Sequence, residues 1–421
     1  MSQKQMMVEM SVVSIDGAGW YYASLYLPAT DYEIRDALER LRMIPKRDTV
    51  MTVNVYNCDL ISELDEIRLD SNNIEEINYL ANRLAALNSD ERCVFKAILP
   101  KYINFDEEPL SIKDLINCTF GLEKVSVISH VSSYRELGEF VIENDLSPLV
   151  SNVPENARYL LDKHAIGKAQ CEANGGVFSD GRYIVTGDYE LPKVYDGKTL
   201  PFAQDKTDWV FRFLVVGEYN PFSEESVDTG EWIEFTIDKS VADDIAQKHD
   251  TGDLEKCRWV EYETTIPQIE EPHFDSDFSF DSLNRLALKI KEMSPSDQIK
   301  LKAILSASMP SGIETALKAA DSINEFEFEN ISRDSGTFFK NYIAQKMDAG
   351  FDIRWLERLN AYIEGDKLLK KLGASATDYG TVSAKGRSLY EIVPFDDEAL
   401  SENTESQNNG ASGISMGGIK L

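Results

Sequence analysis

Two stretches of the chain share one hydrophobic rhythm. Residues 78–99, NYLANRLAALNSDERCVFKAIL, align without a gap with residues 284–305, NRLALKIKEMSPSDQIKLKAIL. Leu80, Leu84 and Leu87 in the first, and Leu286, Ile290 and Met293 in the second, recur at helical spacing, so each stretch predicts an amphipathic helix with one buried stripe. A polar break follows in both. There Ser89, or Ser294 and Ser296, can accept from the free N–H groups that open a second helix. Both second helices close on Lys-Ala-Ile-Leu.

The order around these helix pairs repeats as well. GAGWYYASLYLPATDYEIRDALERL (17–41) predicts a glycine turn, an aromatic strand, a proline stop and a helix, and TGEWIEFTIDKSVADDIAQKH (229–249) repeats that order with Trp232 for Trp20. Downstream, GGVFSDGRYI (175–184) is similar to GTVSAKGRSL (380–389), which matches Val177 with Val382 and Gly181-Arg182 with Gly386-Arg387. Ordered similarity on both sides of the helix pair points to a tandem duplication. A strand is also predicted at NEFEFEN (324–330), where Glu325, Glu327 and Glu329 alternate with Phe326 and Phe328. Alternation turns the two Phe inward and sets the three Glu on one outer face.

The expected architecture is therefore α+β, an elongated chain of small α/β modules, internally duplicated. A strand-rich module (1–72) and a helical module (73–190) form the first copy, residues 191–208 a linker, and modules 209–275 and 276–393 the second copy. The Gly/Ser/Asn-rich residues 394–421 have the composition of a disordered tail.

Charge changes this picture. The 421 residues carry 43 Lys+Arg against 73 Asp+Glu, a formal net charge of −30. Such a surface repels phosphate, which argues against nucleic acid or an anionic membrane as a direct ligand and favours basic partners. Five scattered cysteines form no C-x-x-C pair and suggest neither a disulfide framework nor a zinc knuckle. The start MSQKQMMVEM has no basic region followed by an apolar stretch, and no apolar run approaches a membrane span, so a cytoplasmic protein is expected. The sequons at Asn117 and Asn330 are read as coincidental.

The residues offer little for catalysis. His130, His164, His249 and His273 fall in no metal-ligand spacing, and no G-x-S-x-G elbow or Cys–His signature occurs. Gly17-Ala18-Gly19 and Gly175-Gly176 lack a following Lys-Ser/Thr and read as turns. No cofactor and no enzymatic activity are expected. The carboxylates themselves remain, in clusters at 58–70, 73–77, 105–109, 224–238, 241–256, 261–281 and 325–329, interleaved with core-forming residues. Helix capping and the helix dipole explain individual acids, Asp243 and Asp244 among them, but not the surplus. Duplex DNA carries one charge per ~1.7 Å, so thirty charges correspond to about 50 Å of duplex. A rigid fold bearing rows of carboxylates can present a DNA-like potential.

Residues 134–183 carry Leu137-Gly138, Tyr159-Leu160-Leu161-Asp162, Ile166-Gly167 and the turn Gly175–Phe178, and the N-terminal GAGWYYASLYLPA has a G-x-W…L-P-A pattern. In these elements the chain resembles the ArdA family of antirestriction proteins of plasmids, conjugative transposons and phages. The resemblance covers most of the first copy; in the second, YIEGDKLLKKLGASATDYGTVSAKGR (362–387) keeps the outline. It implies a non-enzymatic DNA mimic that occupies the DNA-binding channel of type I restriction–modification enzymes, dimeric in typical members. Lys163 and His164 depart from the acidic stretch expected after Asp162. The duplication suggests that one chain imitates what smaller relatives achieve by pairing. Alternatives are an inhibitor of another nucleic-acid machine, such as a CRISPR effector, and a scaffolding protein whose acidity keeps it soluble. The acidic surface is expected to include Glu63, Asp65, Glu66, Asp70, Glu75 and Glu76, then Glu136, Glu139, Glu143 and Asp162, and in the second copy Asp243, Asp244, Glu325, Glu327 and Glu329.

Overall fold

Strict alternation in MMVEMSVV builds the first strand, β1 (Met6–Val13), with Met6, Val8, Met10 and Val12 turned into the core. The computed structural model describes residues 4–13, 20–41, 51–201, 207–216, 230–249, 251–269, 279–308, 312–329, 334–346, 360–385 and 387–393. β2 (Trp20–Leu27) pairs antiparallel with β1, and α1 (Asp31–Arg40) follows behind a capping box between Thr30 and Glu33. β3 (Met51–Cys58) and β4 (Ile67–Leu69) complete a sheet in the order β2-β1-β3-β4. Its inner face packs in one hydrophobic core with α2 (Ile74–Ala86), α3 (Ser89–Tyr102) and α4 (Ile112–Cys118). The border expected at 72/73 thus divides a single core. The cap of α3 is Asn88, in a capping box with Glu91; Ser89 is already helical.

A second, smaller core follows. β5 (Val127–Ser129), α5 (Tyr134–Glu143), α6 (Pro148–Ser151), α7 (Lys163–Asn174), β6 (Gly176–Ser179) and β7 (Arg182–Val185) enclose Val131, Leu137, Val141, Val150, Ile166, Cys171 and Tyr183. The strand order is β5-β7-β6.

The expected linker 191–208 is corrected over its first part. Tyr195 is 1% exposed, and its backbone and that of Val194 are bound by the buried side chain of Asn117, which donates to Tyr195 O at 3.0 Å and accepts from both N–H groups. The Asn117 side chain of the sequon is thus buried and committed to these bonds. Residues 202–206 lie outside the described residues. The chain divides into units 1–206 and 207–421.

The second unit repeats the first. β8 (Phe211–Val216), β9 (Glu231–Phe235) and β10 (Arg258–Thr264) form a sheet in the order β10-β8-β9, with α8 (Lys239–Lys248) after β9 as α1 follows β2. α9 (Phe280–Glu292), α10 (Pro295–Ser308), where Ser294 Oγ accepts from Asp297 N, and α11 (Ile313–Asp321) stand for α2, α3 and α4. β11 (Glu327–Glu329), α12 (Ser335–Lys346), α13 (Ala361–Leu372), β12 (Ala374–Thr377) and β13 (Gly380–Ser383) repeat β5, α5, α7, β6 and β7 in the sheet order β11-β13-β12, and α14 (Leu389–Ile392) ends the unit.

The hairpin alignment read from sequence is corrected. Val177 lies on β6 but Val382 on β13, the other strand of the hairpin. Gly175 and Gly373, both left-handed C-caps, mark the true register, which matches Val382 with Ile184. Gly386 and the expected disordered tail 394–421 lie outside the described residues. Among the described residues, no helix is long and apolar enough to cross a membrane.

Candidate functional site

The acidic positions separate into two groups once placed in the fold. The clearest outward row is on α5. Leu137, Gly138 and Val141 face the small core, and Glu136, Glu139 and Glu143 recur at i, i+3 and i+7 on the opposite side. Glycines hold this helix in place. A Cβ on Gly138 would stand 1.7 Å from Lys163 O, and one on Gly167 1.8 Å from Tyr134 O, so α5 and α7 cross at backbone distance. Ser133 caps α5, and the Glu136 carboxylate accepts from the Ser132 N–H at 2.7 Å and hydroxyl at 2.8 Å. Those bonds, the backbone one foremost, hold the Glu136 carboxyl below its ordinary range. Glu143 is exposed, whereas half-buried Glu139 pairs with Lys163.

Around the row lie further anions. Asp162 caps α7, accepting from His164 N and Ala165 N, and stays exposed. Asp145, not among the expected residues, has φ 53° and accepts from Ser151 Oγ and Arg158, which keep its carboxyl low. The two departures from an acidic stretch gain a structural meaning: Lys163 compensates Glu139, and His164 stacks edge-on to Tyr134 at 5.5 Å.

Three of the expected surface acids also bind the backbone or side chains of the first core, and of these Asp65 and Glu76 are half-buried while Asp70 is exposed. Asp65 Oδ1 accepts from Cys58 N at 2.6 Å, and Asp70 Oδ1 from Ile112 N at 2.7 Å at the start of α4. Glu76 is half-buried and accepts from Ser71 Oγ and the Tyr195 hydroxyl. Glu63, Glu66 and Glu75 are exposed. So are Asp106, Glu107 and Glu108, whose FDEEP cluster was visible in the sequence although no residue of it was chosen.

In the second unit, Asp243 and Asp244 are exposed on α8. The row expected at 325–329 does not form. Residues Ile323–Glu325 make a 3-10 turn after α11, so Glu325 lies outside the two-residue alternation, and its carboxylate pairs with Arg387. Glu325 and Glu327 are exposed, Glu329 and Phe328 are half-buried, and Phe326 is in the core. Sign also differs here: a cavity of about 410 Å³ at the end of α13 is lined by Lys370, Lys371 and Arg387.

Among the described residues, no three His, Cys, Asp or Glu side chains converge as a metal site. The cysteines are buried free thiols, and burial pushes Cys118 up to about 12. Compared with known proteins, the chain matches no family model and no curated protein.

Proposed function

We propose that this protein is an antirestriction DNA mimic. It occupies the DNA-binding channel of type I restriction–modification enzymes and so shields incoming DNA from cleavage and modification. The observation that carries the reading is the α5 row: carboxylates on the outward side of a helix locked to its neighbour through Gly138 and Gly167. Along a helix, Glu136 to Glu139 advances about 4.5 Å and Glu139 to Glu143 about 6 Å. One DNA strand advances about 3.4 Å of axis per phosphate, so the row lies between one and two phosphate steps. Bonds that favour the ionised form keep Glu136 and Asp145 anionic, and the chain as a whole carries −30. Resemblance to the ArdA pattern in the same segment supports the same target.

The test is ATP-dependent cleavage of unmodified DNA by a type I enzyme with increasing amounts of the full chain. Inhibition is expected, weakening as salt rises and as competitor duplex is added. Full cleavage in low salt at a large molar excess of the protein would refute the reading.

A further inference from the structure

The two units treat the outer faces of their first sheets differently. In the second unit, Arg212 occupies the first outward position of β8, opposite Glu234 on β9 and Glu263 on β10. Its guanidinium lies 4.7 Å from the Trp209 ring centroid and 4.5 Å from that of Trp232, and Glu263 accepts its Nε–H at 2.6 Å. In the first unit the matching position is Met7, because Met6 opposite Leu27 corresponds to Phe211 opposite Phe235. Met7 sits between Tyr26 on β2 and the bulge of β3 that contains Tyr56. These two rings are 54% and 65% exposed.

The spacing suits a cation. Strands on either side of β1 lie about 9.6 Å apart, twice the inter-strand distance. That is close to the span of two rings flanking one guanidinium at about 4.5 Å each, within cation–π reach. Glu9, half-buried on the same face as Met7 and about 6.6–6.8 Å along the strand, can take the part that Glu263 plays for Arg212.

We propose that this face binds an arginine side chain of a basic protein partner, the guanidinium seated over Met7 between Tyr26 and Tyr56. Charge complementarity with a chain of net −30 favours such a partner, and the second unit carries an arginine of its own, held between aromatic rings, at the sheet position that matches Met7. The proposal rests on the reading that the partner is a DNA-binding enzyme with a cationic channel. It gives the complex an anchor that long-range charge attraction, screened by salt, does not govern alone.

The experiment uses the full chain with ring-labelled tyrosine, titrated with an acetylated, amidated tetra-arginine peptide and observed by NMR. Tyr26 and Tyr56 signals, assigned with Y26F and Y56F, are expected to shift, and a tetra-lysine peptide is expected to shift them less. Inhibition of the type I enzyme by Y26S/Y56S should need about tenfold more protein, with an unchanged salt dependence, while Y26F/Y56F keeps wild-type potency. Arginine-induced shifts with no inhibition by wild type would uphold the site and overturn the antirestriction reading. Inhibition by wild type with Tyr26 and Tyr56 unmoved by arginine would overturn the site alone. So would signals that move with protein concentration in the absence of peptide, because the occupant would then be a second copy.

Discussion

The carboxamide of Asn78 grips one distant residue of the same chain from both sides: its Oδ1 accepts the Ala29 N–H at 2.7 Å, and its Nδ2 donates to the Ala29 carbonyl at 2.8 Å. The same clamp recurs between Asn284 and Ile237, at 3.1 and 3.0 Å. In each unit it ties the end of the second strand to the first helix of the pair, which is why Asn stands on an otherwise apolar helix face. Replacing Asn78 by Ala removes both of these bonds to the buried Ala29 backbone and is expected to cost about 2–4 kcal/mol. Asn284→Ala, at a half-buried site, should cost less. Urea unfolding of the full chain, followed separately for the two units by hydrogen exchange, checks both; equal losses would contradict the difference in burial.

The glycines between α5 and α7 make a second prediction. Gly167→Ala puts a methyl 1.8 Å from Tyr134 O, and Gly365→Ala repeats the collision at 1.9 Å from Ser335 O in the second unit. Each must push two helices apart and is expected to destabilise its helix pair by at least about 3 kcal/mol. Gly181→Ala, with φ +73° and nothing within 4 Å, should cost only about 1 kcal/mol of backbone strain. Amide exchange in α5 and α7 distinguishes the outcomes.

Acid should loosen the start of α5. The Glu136 carboxyl titrates below its ordinary 4.5 because it accepts from Ser132, so the folded protein binds fewer protons there than the unfolded chain. Its contribution is fully present above pH 4.5 and is lost as pH falls through the lowered folded value. The Ser132 amide resonance is expected to move in that acidic window, and Glu136→Gln should abolish the movement. A midpoint above 4.5 would contradict the assignment.

Acidic substitutions should sort by structural role. Neutralising Glu136, Glu139 and Glu143 together is expected to weaken inhibition and flatten its salt dependence, whereas each alone changes little because exposed charges act collectively. Glu76→Gln should leave the salt dependence intact and lower stability by about 1–3 kcal/mol, because it disturbs a bond to Tyr195. Inhibition curves at several salt concentrations, beside thermal melts, separate the two classes.

Truncation tests the corrected linker. A chain ending at residue 206 retains Tyr195 and is expected to fold with cooperative melting. One ending at 190 loses that core side chain and the partners of Asn117, and should melt early or not fold. Identical melting of the two would show that 191–201 is dispensable.

Local periodicity was enough to read the helix pairs, the aromatic strands, the order of elements and the duplication, because helix and strand alternation and cap residues are written over a few consecutive positions. It also placed Glu136, Glu139 and Glu143 on the acidic surface, though not as a row. What failed depended on distance. The Tyr195 partner of Glu76 lies 119 residues away, so nothing local distinguishes a carboxylate that closes a core from one that faces water. NEFEFEN has perfect alternation, yet the 3-10 turn left by α11 claims Glu325 before the strand begins. The hairpin register slipped because chance Val and Gly-Arg matches outweighed the glycine caps, whose positive φ only the backbone reveals. Composition alone determined that this protein is strongly anionic. Only the tertiary structure decided which anions stand in a row, because the close crossing of α5 and α7 selects the face that is left outside.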